Sequence, residues 1–131
     1  MNLLNLFQKT EDAQDFQVGT TVFAEGTPGD LMYVVLDGEL EILTVNGLID
    51  VIGPGDVIGE MALIDSKVRN NTVVAKSDCR LLPVDKKRFM FMVRETPFFA
   101  LQVMRVLADR LRRCQIGSSP VHSQSLSSAG R

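Results

Sequence analysis

The stretch from Ile58 to Thr72, Ile-Gly-Glu-Met-Ala-Leu-Ile-Asp-Ser-Lys-Val-Arg-Asn-Asn-Thr, gathers the residue types that can hold a phosphorylated sugar. Gly59 permits a sharp turn after the strand-like Asp56-Val57-Ile58, and Glu60-Met61-Ala62-Leu63 has the composition of one short helical turn. A helix start offers unpaired backbone N–H groups and a partial positive charge, which suits an anion. Arg69 lies far enough along the chain to fold back and close the other side with a planar, permanently charged fork. Glu60 would repel an anion unless it faced something else, and a sugar hydroxyl is the donor that fits it. Taken alone, Glu60 reads as a surface acid opening a helix and Arg69 as an ordinary surface base. Their company with Gly59, Ala62 and Thr72, set among short strands, is what makes a candidate site.

Those strands have to position the stretch. Short alternating segments begin near Asp15 and continue as Thr21-Val22-Phe23, Met32 to Leu36 and Glu39 to Leu43, rich in β-branched and aromatic residues. Between them stand Glu25-Gly26-Thr27-Pro28-Gly29-Asp30, Asp37-Gly38, Asn46-Gly47 and Gly53-Pro54-Gly55. Asp-Gly and Asn-Gly supply the positive φ angles of two-residue hairpins, so the flanking strands are expected to pair antiparallel. Many short strands with such turns, followed by Thr72 to Ala75 and Arg80 to Val84, predict a mainly β fold, an antiparallel jelly-roll barrel with flanking C-terminal α-helices.

Residues Gly59 to Leu63, Arg69, Thr72 and Val73 resemble the phosphate-binding cassette of the cyclic-nucleotide-binding family, which includes catabolite activator, protein kinase A regulatory subunit and gated-channel types. Gly19, Glu25-Gly26, Gly29-Asp30, Tyr33-Val34 and Gly38 match the family's spacing upstream, so the resemblance spans about residues 16 to 113. It implies that Glu60 binds the ribose 2′-hydroxyl, Arg69 the cyclic phosphate, and the amides of Ala62 and Asn70 the rest of the phosphate. Gly59, Met61 and Asn71 fall within the same ligand-binding set. Val68 replaces the family's usual Pro, and Asn70-Asn71 replaces a pair of small residues. These changes can narrow the pocket or add a hydrogen bond to the base. The resemblance implies a sensor for a cyclic purine nucleotide, with cAMP favoured over cGMP. The alternative is a degenerate, ligand-free member acting as a dimerisation or protein-interaction module.

Beyond Val84 the apolar period lengthens to about 3.6. Asp85 is a suitable N-cap for a helix from Lys86 to Arg94 with Phe89, Met92 and Val93 inward, and Thr96-Pro97 restarts a helix. The apolar residues of 97–113 cover well over half of the helix circumference, more than one packed face requires, so a second contact such as a homodimer is expected there. Arg110 is the charge within that arc. Its stem can lie on apolar surface while the guanidinium reaches water. In channel-type members an arginine on this helix covers the purine, which makes Arg110 the last candidate binding residue.

Composition narrows the rest. The chain of 131 residues supports one domain, residues 1–114, with a Ser-rich disordered tail at 115–131, and Met1 to Phe7 can form one docking turn. Two cysteines in no motif, no span-length apolar run and no signal-like N-terminus predict a cytoplasmic protein with no membrane span. Net charge is −2, with the bases concentrated in the second half, but no aromatic-interleaved basic strand or recognition helix accompanies them, so no direct DNA-binding element is expected. The single histidine, His122, excludes a cupin-type metal site and any Ser-His-Asp or Cys-His nucleophile, and no phosphate-binding Walker loop is present. A binding module, not an enzyme, follows, with no cofactor beyond its cAMP or cGMP ligand and with an effector protein or domain still to be identified.

Overall fold

The computed structural model describes residues 12–64 and 68–118, with side chains as far as Arg113. Eight strands form two antiparallel sheets. They are β1 (Gln14–Phe16), β2 (Thr21–Phe23), β3 (Leu31–Asp37), β4 (Leu40–Thr44), β5 (Gly47–Ile52), β6 (Val57–Ile58), β7 (Thr72–Ala75) and β8 (Cys79–Asp85). One sheet has the order β1-β8-β3-β6 and the other β2-β7-β4-β5. Helix α1 (Met61–Ile64) interrupts the strands, and α2 (Lys86–Glu95) and α3 (Phe98–Ser118) follow them. The jelly-roll expectation is met as a sandwich of two four-stranded sheets with C-terminal helices.

Side-chain alternation explains the layering. Along β3, Tyr33 and Val35 point between the sheets, where they meet Leu40, Ile42, Ile52, Ile58, Val73 and Leu81. Met32 and Val34 point the other way, onto Leu82, Val84, Phe99 and Val103. Met32 to Val35 are therefore all buried, and β3 is the wall shared by two cores. Phe99, fully buried, anchors α3 on the outer face of this sheet and packs edge-on against Phe89 of α2 with ring centroids 5.3 Å apart. Burying one such side chain contributes about 1.5–3 kcal/mol.

The helix boundaries follow their caps. Asp85 accepts a hydrogen bond from the Arg88 amide at 2.7 Å, as its position before the helix predicts. The Thr96 carbonyl accepts from the Phe99 amide at 2.8 Å and restarts the helix after Pro97. Helix α3 runs past the expected end at Arg113 to Ser118, so the boundary drawn at 114/115 falls inside it. The proposed docking turn at 1–7 and the rest of the Ser-rich tail lie outside the described residues.

One turn differs from expectation. Asn46-Gly47 does join a hairpin, β4 to β5, with Gly47 at φ +113°. Asp37-Gly38 does not, because β3 and β4 belong to different sheets. A Cβ on Gly38 would lie 2.3 Å from the Asp78 carbonyl oxygen and 2.8 Å from Cys79 Cα. Gly38 is required where the chain crosses from one sheet to the other against the backbone before β8, in addition to its positive φ of +87°.

Candidate functional site

The site lies at one end of the sandwich, where β6 gives way to α1 and the chain returns at Val68 to enter β7. Gly59, at φ +75°, makes the turn that the sequence demands of it. Glu60 and the four-residue α1 follow, with the Leu63 amide donating to the Glu60 carbonyl at 3.0 Å. On the other side, the loop between β2 and β3 clamps the Arg69 backbone in two places. The Arg69 amide donates to the Thr27 carbonyl at 2.7 Å, and the Gly26 amide donates to the Arg69 carbonyl at 2.8 Å. The Glu25 amide is fixed to the Thr72 hydroxyl at 2.9 Å. The segment read from the sequence as turn punctuation is thus the outer clamp of the cassette.

These elements enclose about 380 Å³ of empty space, counted to its open mouth. All eight sequence-predicted binding residues, Gly59, Glu60, Met61, Ala62, Arg69, Asn70, Asn71 and Arg110, line it. Val68, which stands in place of the family's usual Pro, lines it too, and Phe23 is a further lining residue that the sequence reading did not single out as part of a site. Asn70 is exposed at the mouth and Asn71 is half-buried.

Arg69 is the one buried charged residue among those described, at 6% exposure. Its Nη1 donates to the Leu31 carbonyl at 2.7 Å, and its guanidinium carbon lies 4.1 Å from the centre of the Phe23 ring. Desolvation pushes its pKa below the usual arginine value, against the opposing fields of Tyr33 and Asp30. A guanidinium stays protonated in proteins, so Arg69 presents a positive charge at the cavity.

Arg110 does not extend to water as a surface base would. Its side chain is 15% exposed and reaches inward from α3. Nη2 donates to the Val57 carbonyl and lies 4.0 Å from Asp56 Oδ1, while Nη1 lies 3.8 Å from Glu60 Oε1. The carboxylate expected to face a sugar therefore faces this arginine in the structure.

Three polar side-chain atoms of the described residues are buried without a hydrogen-bond partner: Glu60 Oε1, Arg69 Nε and Arg110 Nε. All three residues line the same cavity. Leaving such atoms unpaired costs about 1–3 kcal/mol each, more where the group is charged. Unpaired buried polar groups are rare in folded proteins, so three of them on residues around one space single out this part of the molecule. One expected contact differs. The Ala62 amide closes a turn on the Gly59 carbonyl at 3.1 Å, so a ligand would have to share or displace that bond.

The fold is a β-sandwich with a helical flank, and the cavity at its end brings two arginines and a glutamate together. The chain belongs to the cyclic nucleotide-binding domain family, whose model matches residues 13–96. It is 35% identical over 104 residues to the CRP-like cAMP-activated global transcriptional regulator of Mycobacterium tuberculosis, covering 76% of this chain and 46% of that protein. Against the cAMP-dependent protein kinase regulatory subunit of Aspergillus niger it is 31% identical over 112 residues, covering 84% of this chain and 25% of the relative. The crystal structure of Thermus thermophilus catabolite activator protein superposes with a TM-score of 0.67 at 28% identity, covering 79% of this chain and 51% of that one. The chain therefore spans about half the length of two of these proteins and a quarter of the third. No described helix is long and apolar enough to cross a membrane.

Proposed function

We propose that the cavity binds a cyclic purine nucleotide as a regulatory signal, with cAMP favoured over cGMP, and that the domain acts in the cytoplasm without catalysis of its own. The observation that carries this reading is that the three residues with orphaned polar atoms, Glu60, Arg69 and Arg110, all line one cavity in a member of this family. The names of two relatives specify cAMP, which supports the choice of base.

Each residue then has a task. Arg69 pairs with the cyclic phosphate, and losing a buried charge partner of this kind costs about 2–5 kcal/mol. Glu60 accepts from the 2′-hydroxyl and so rejects nucleotides that lack it. Because Glu60 faces Arg110 at 3.8 Å, sugar and helix compete for one carboxylate. A ligand that claims Glu60 loosens Arg110, which either closes over the base or leaves the cavity with α3. In both cases the position of α3 becomes ligand-dependent, and this differential contact is what a population shift requires. The domain itself contacts no DNA in this reading; α3 passes the signal to an effector protein or a further domain.

Isothermal titration of the purified chain with cAMP and with cGMP, beside Arg69→Ala, tests the proposal. The expected result is binding in the micromolar range or tighter that the variant abolishes. Absence of heat with either nucleotide, in a chain shown to be folded, would refute it.

A second reading is favoured by one surface. Leu101, Met104 and Leu111 of α3 are 53%, 56% and 59% exposed, and with Ala108 they follow the three-four spacing of a helix-pairing seam. A ligand-free homodimer through residues 97–113 would cover them. Sedimentation of the wild type and of Met104→Glu decides whether that seam pairs, independently of nucleotide.

A further inference from the structure

We infer that Phe23 and Gly29 are positioning residues that seat the Arg69 guanidinium and fix its orientation beside the cavity; the part concerning ligand rests on the nucleotide reading of the cavity. The seat has three sides. The Phe23 ring lies under the guanidinium at 4.1 Å and is itself stacked on Tyr33, with centroids 6.4 Å apart and planes 24° from parallel. A Cβ on Gly29 would fall 2.2 Å from Arg69 Nε and 2.4 Å from Cζ, so the guanidinium occupies the space of the missing side chain. Opposite, a Cβ on Gly59 would lie 2.7 Å from Nη1.

Gly29 is not among the glycines with positive φ. Its backbone suits any residue, and what requires glycine there is the close approach of Arg69 alone. From the sequence it reads as turn chemistry with no role in binding; the structure places it against the binding arginine.

The seat also orients. Nη1 is committed to the Leu31 carbonyl at 2.7 Å, whereas Nε is buried without a partner. Nε is packed against Gly29, so an anion entering the cavity meets a guanidinium already held in place and not one that has to be ordered from solvent. An aromatic face beneath a guanidinium favours this geometry through cation–π attraction and stacking.

The experiment is a pair of double-mutant cycles on the full chain. In the first, cAMP is titrated into the wild type, Phe23→Leu, Phe23→Tyr, Arg69→Lys and Phe23→Leu with Arg69→Lys. Phe23→Leu is expected to weaken binding about tenfold, Phe23→Tyr to stay within about twofold of wild type, and Phe23→Leu to cost little more once Arg69 is Lys, since an ammonium has no plane to seat. Equal affinity for the Leu and Tyr variants, or penalties that simply add, would overturn the assignment. The second cycle uses no ligand. Gly29→Ala should lower the melting temperature of the wild type but leave that of Arg69→Ala unchanged, because only the wild type has a guanidinium in the way. The same loss in both backgrounds would show that Gly29 serves the backbone and not Arg69. If the wild type binds no cAMP, the nucleotide reading has failed, and the thermal cycle still decides whether the seat exists.

Discussion

Arg69 and Arg110 line one cavity and are held there in opposite ways. Around Arg69 the groups in contact are neutral, the Phe23 ring, the Leu31 carbonyl and two glycines, and the Asp30 carboxylate acts on it only as a field. Around Arg110 they are anionic, Glu60 and Asp56, joined by the Val57 carbonyl. The first arginine comes from a chain segment bonded on both sides to the β2–β3 loop, and the second from a helix docked on the outer face of the sheet. A charge whose direct contacts are neutral keeps more of its field for an incoming anion. A charge facing carboxylates has spent much of its field locally and serves better as a tie between helix and cassette. Under the proposed nucleotide reading, affinity rests on Arg69 and coupling on Arg110.

The largest expected effect breaks the first half of that contrast. Arg69→Ala should weaken nucleotide binding by about 2–5 kcal/mol, beyond thirtyfold, because the phosphate would then enter a buried site without its partner. Titration calorimetry reads this directly, and a loss below fivefold would mean that Arg69 is not the phosphate ligand. Glu60→Gln comes next. It removes an acceptor for the sugar and the charge facing Arg110 together, so binding should fall by about 1–2 kcal/mol, roughly tenfold. In the same variant, amide exchange in residues 98–118 should quicken without any ligand. Unaltered exchange there would mean that the Val57 carbonyl and Asp56 suffice to hold Arg110.

Arg110→Ala is expected to act more gently on affinity, within about tenfold, but strongly on coupling. Hydrogen exchange in α3 should respond to cAMP in the wild type and cease to respond in the variant. A variant whose helix still responds to nucleotide would transfer the coupling to the apolar contacts of Phe99 and Val103, and the division of labour between the two arginines would fall.

Much of this was legible because it is local. Period-two patterning, Asp85 as a cap and Thr96-Pro97 as a restart depend on neighbours a few residues away, and each appears where the sequence places it. The eight candidate residues share one cavity because seven of them lie within thirteen consecutive positions of a recognisable motif. Asp37-Gly38 failed as a hairpin because the same dipeptide serves a sheet crossover, and only the distant backbone at Asp78 distinguishes the two. Phe23 and Gly29 escaped notice for the same reason. Their partner stands some forty positions along the chain, and no pattern in their own neighbourhood signals it. Arg110 was readable as the charge within an apolar arc, but its burial and its choice of Glu60 and Asp56 depend on the packing angle of α3.

The smallest effect concerns the other end of the sandwich and tests whether the cavity is a separate functional unit. Cys79 is 4% exposed between the sheets, with Sγ 3.1 Å from the carbonyl oxygens of Glu39 and Ser77. Burial raises its thiol pKa above the ordinary value of 9.0, opposed by its hydrogen bonds to Ser77 and Glu39, with Asp37 adding to the rise. A raised pKa in the folded state means that the unfolded chain releases its proton first. The associated stability is present below about pH 9 and is lost as pH climbs through the unfolded and then the folded value. Urea unfolding at pH 7.5 and pH 10 should therefore show a larger alkaline loss in the wild type than in Cys79→Ala. The variant should be slightly less stable at neutral pH, by about 1 kcal/mol, from the lost packing. Its cAMP affinity at pH 7.5 should match the wild type, since Cys79 does not line the cavity. An equal alkaline loss in both proteins would place the titrating group elsewhere, and a changed affinity would mean that the two ends of the sandwich are mechanically joined.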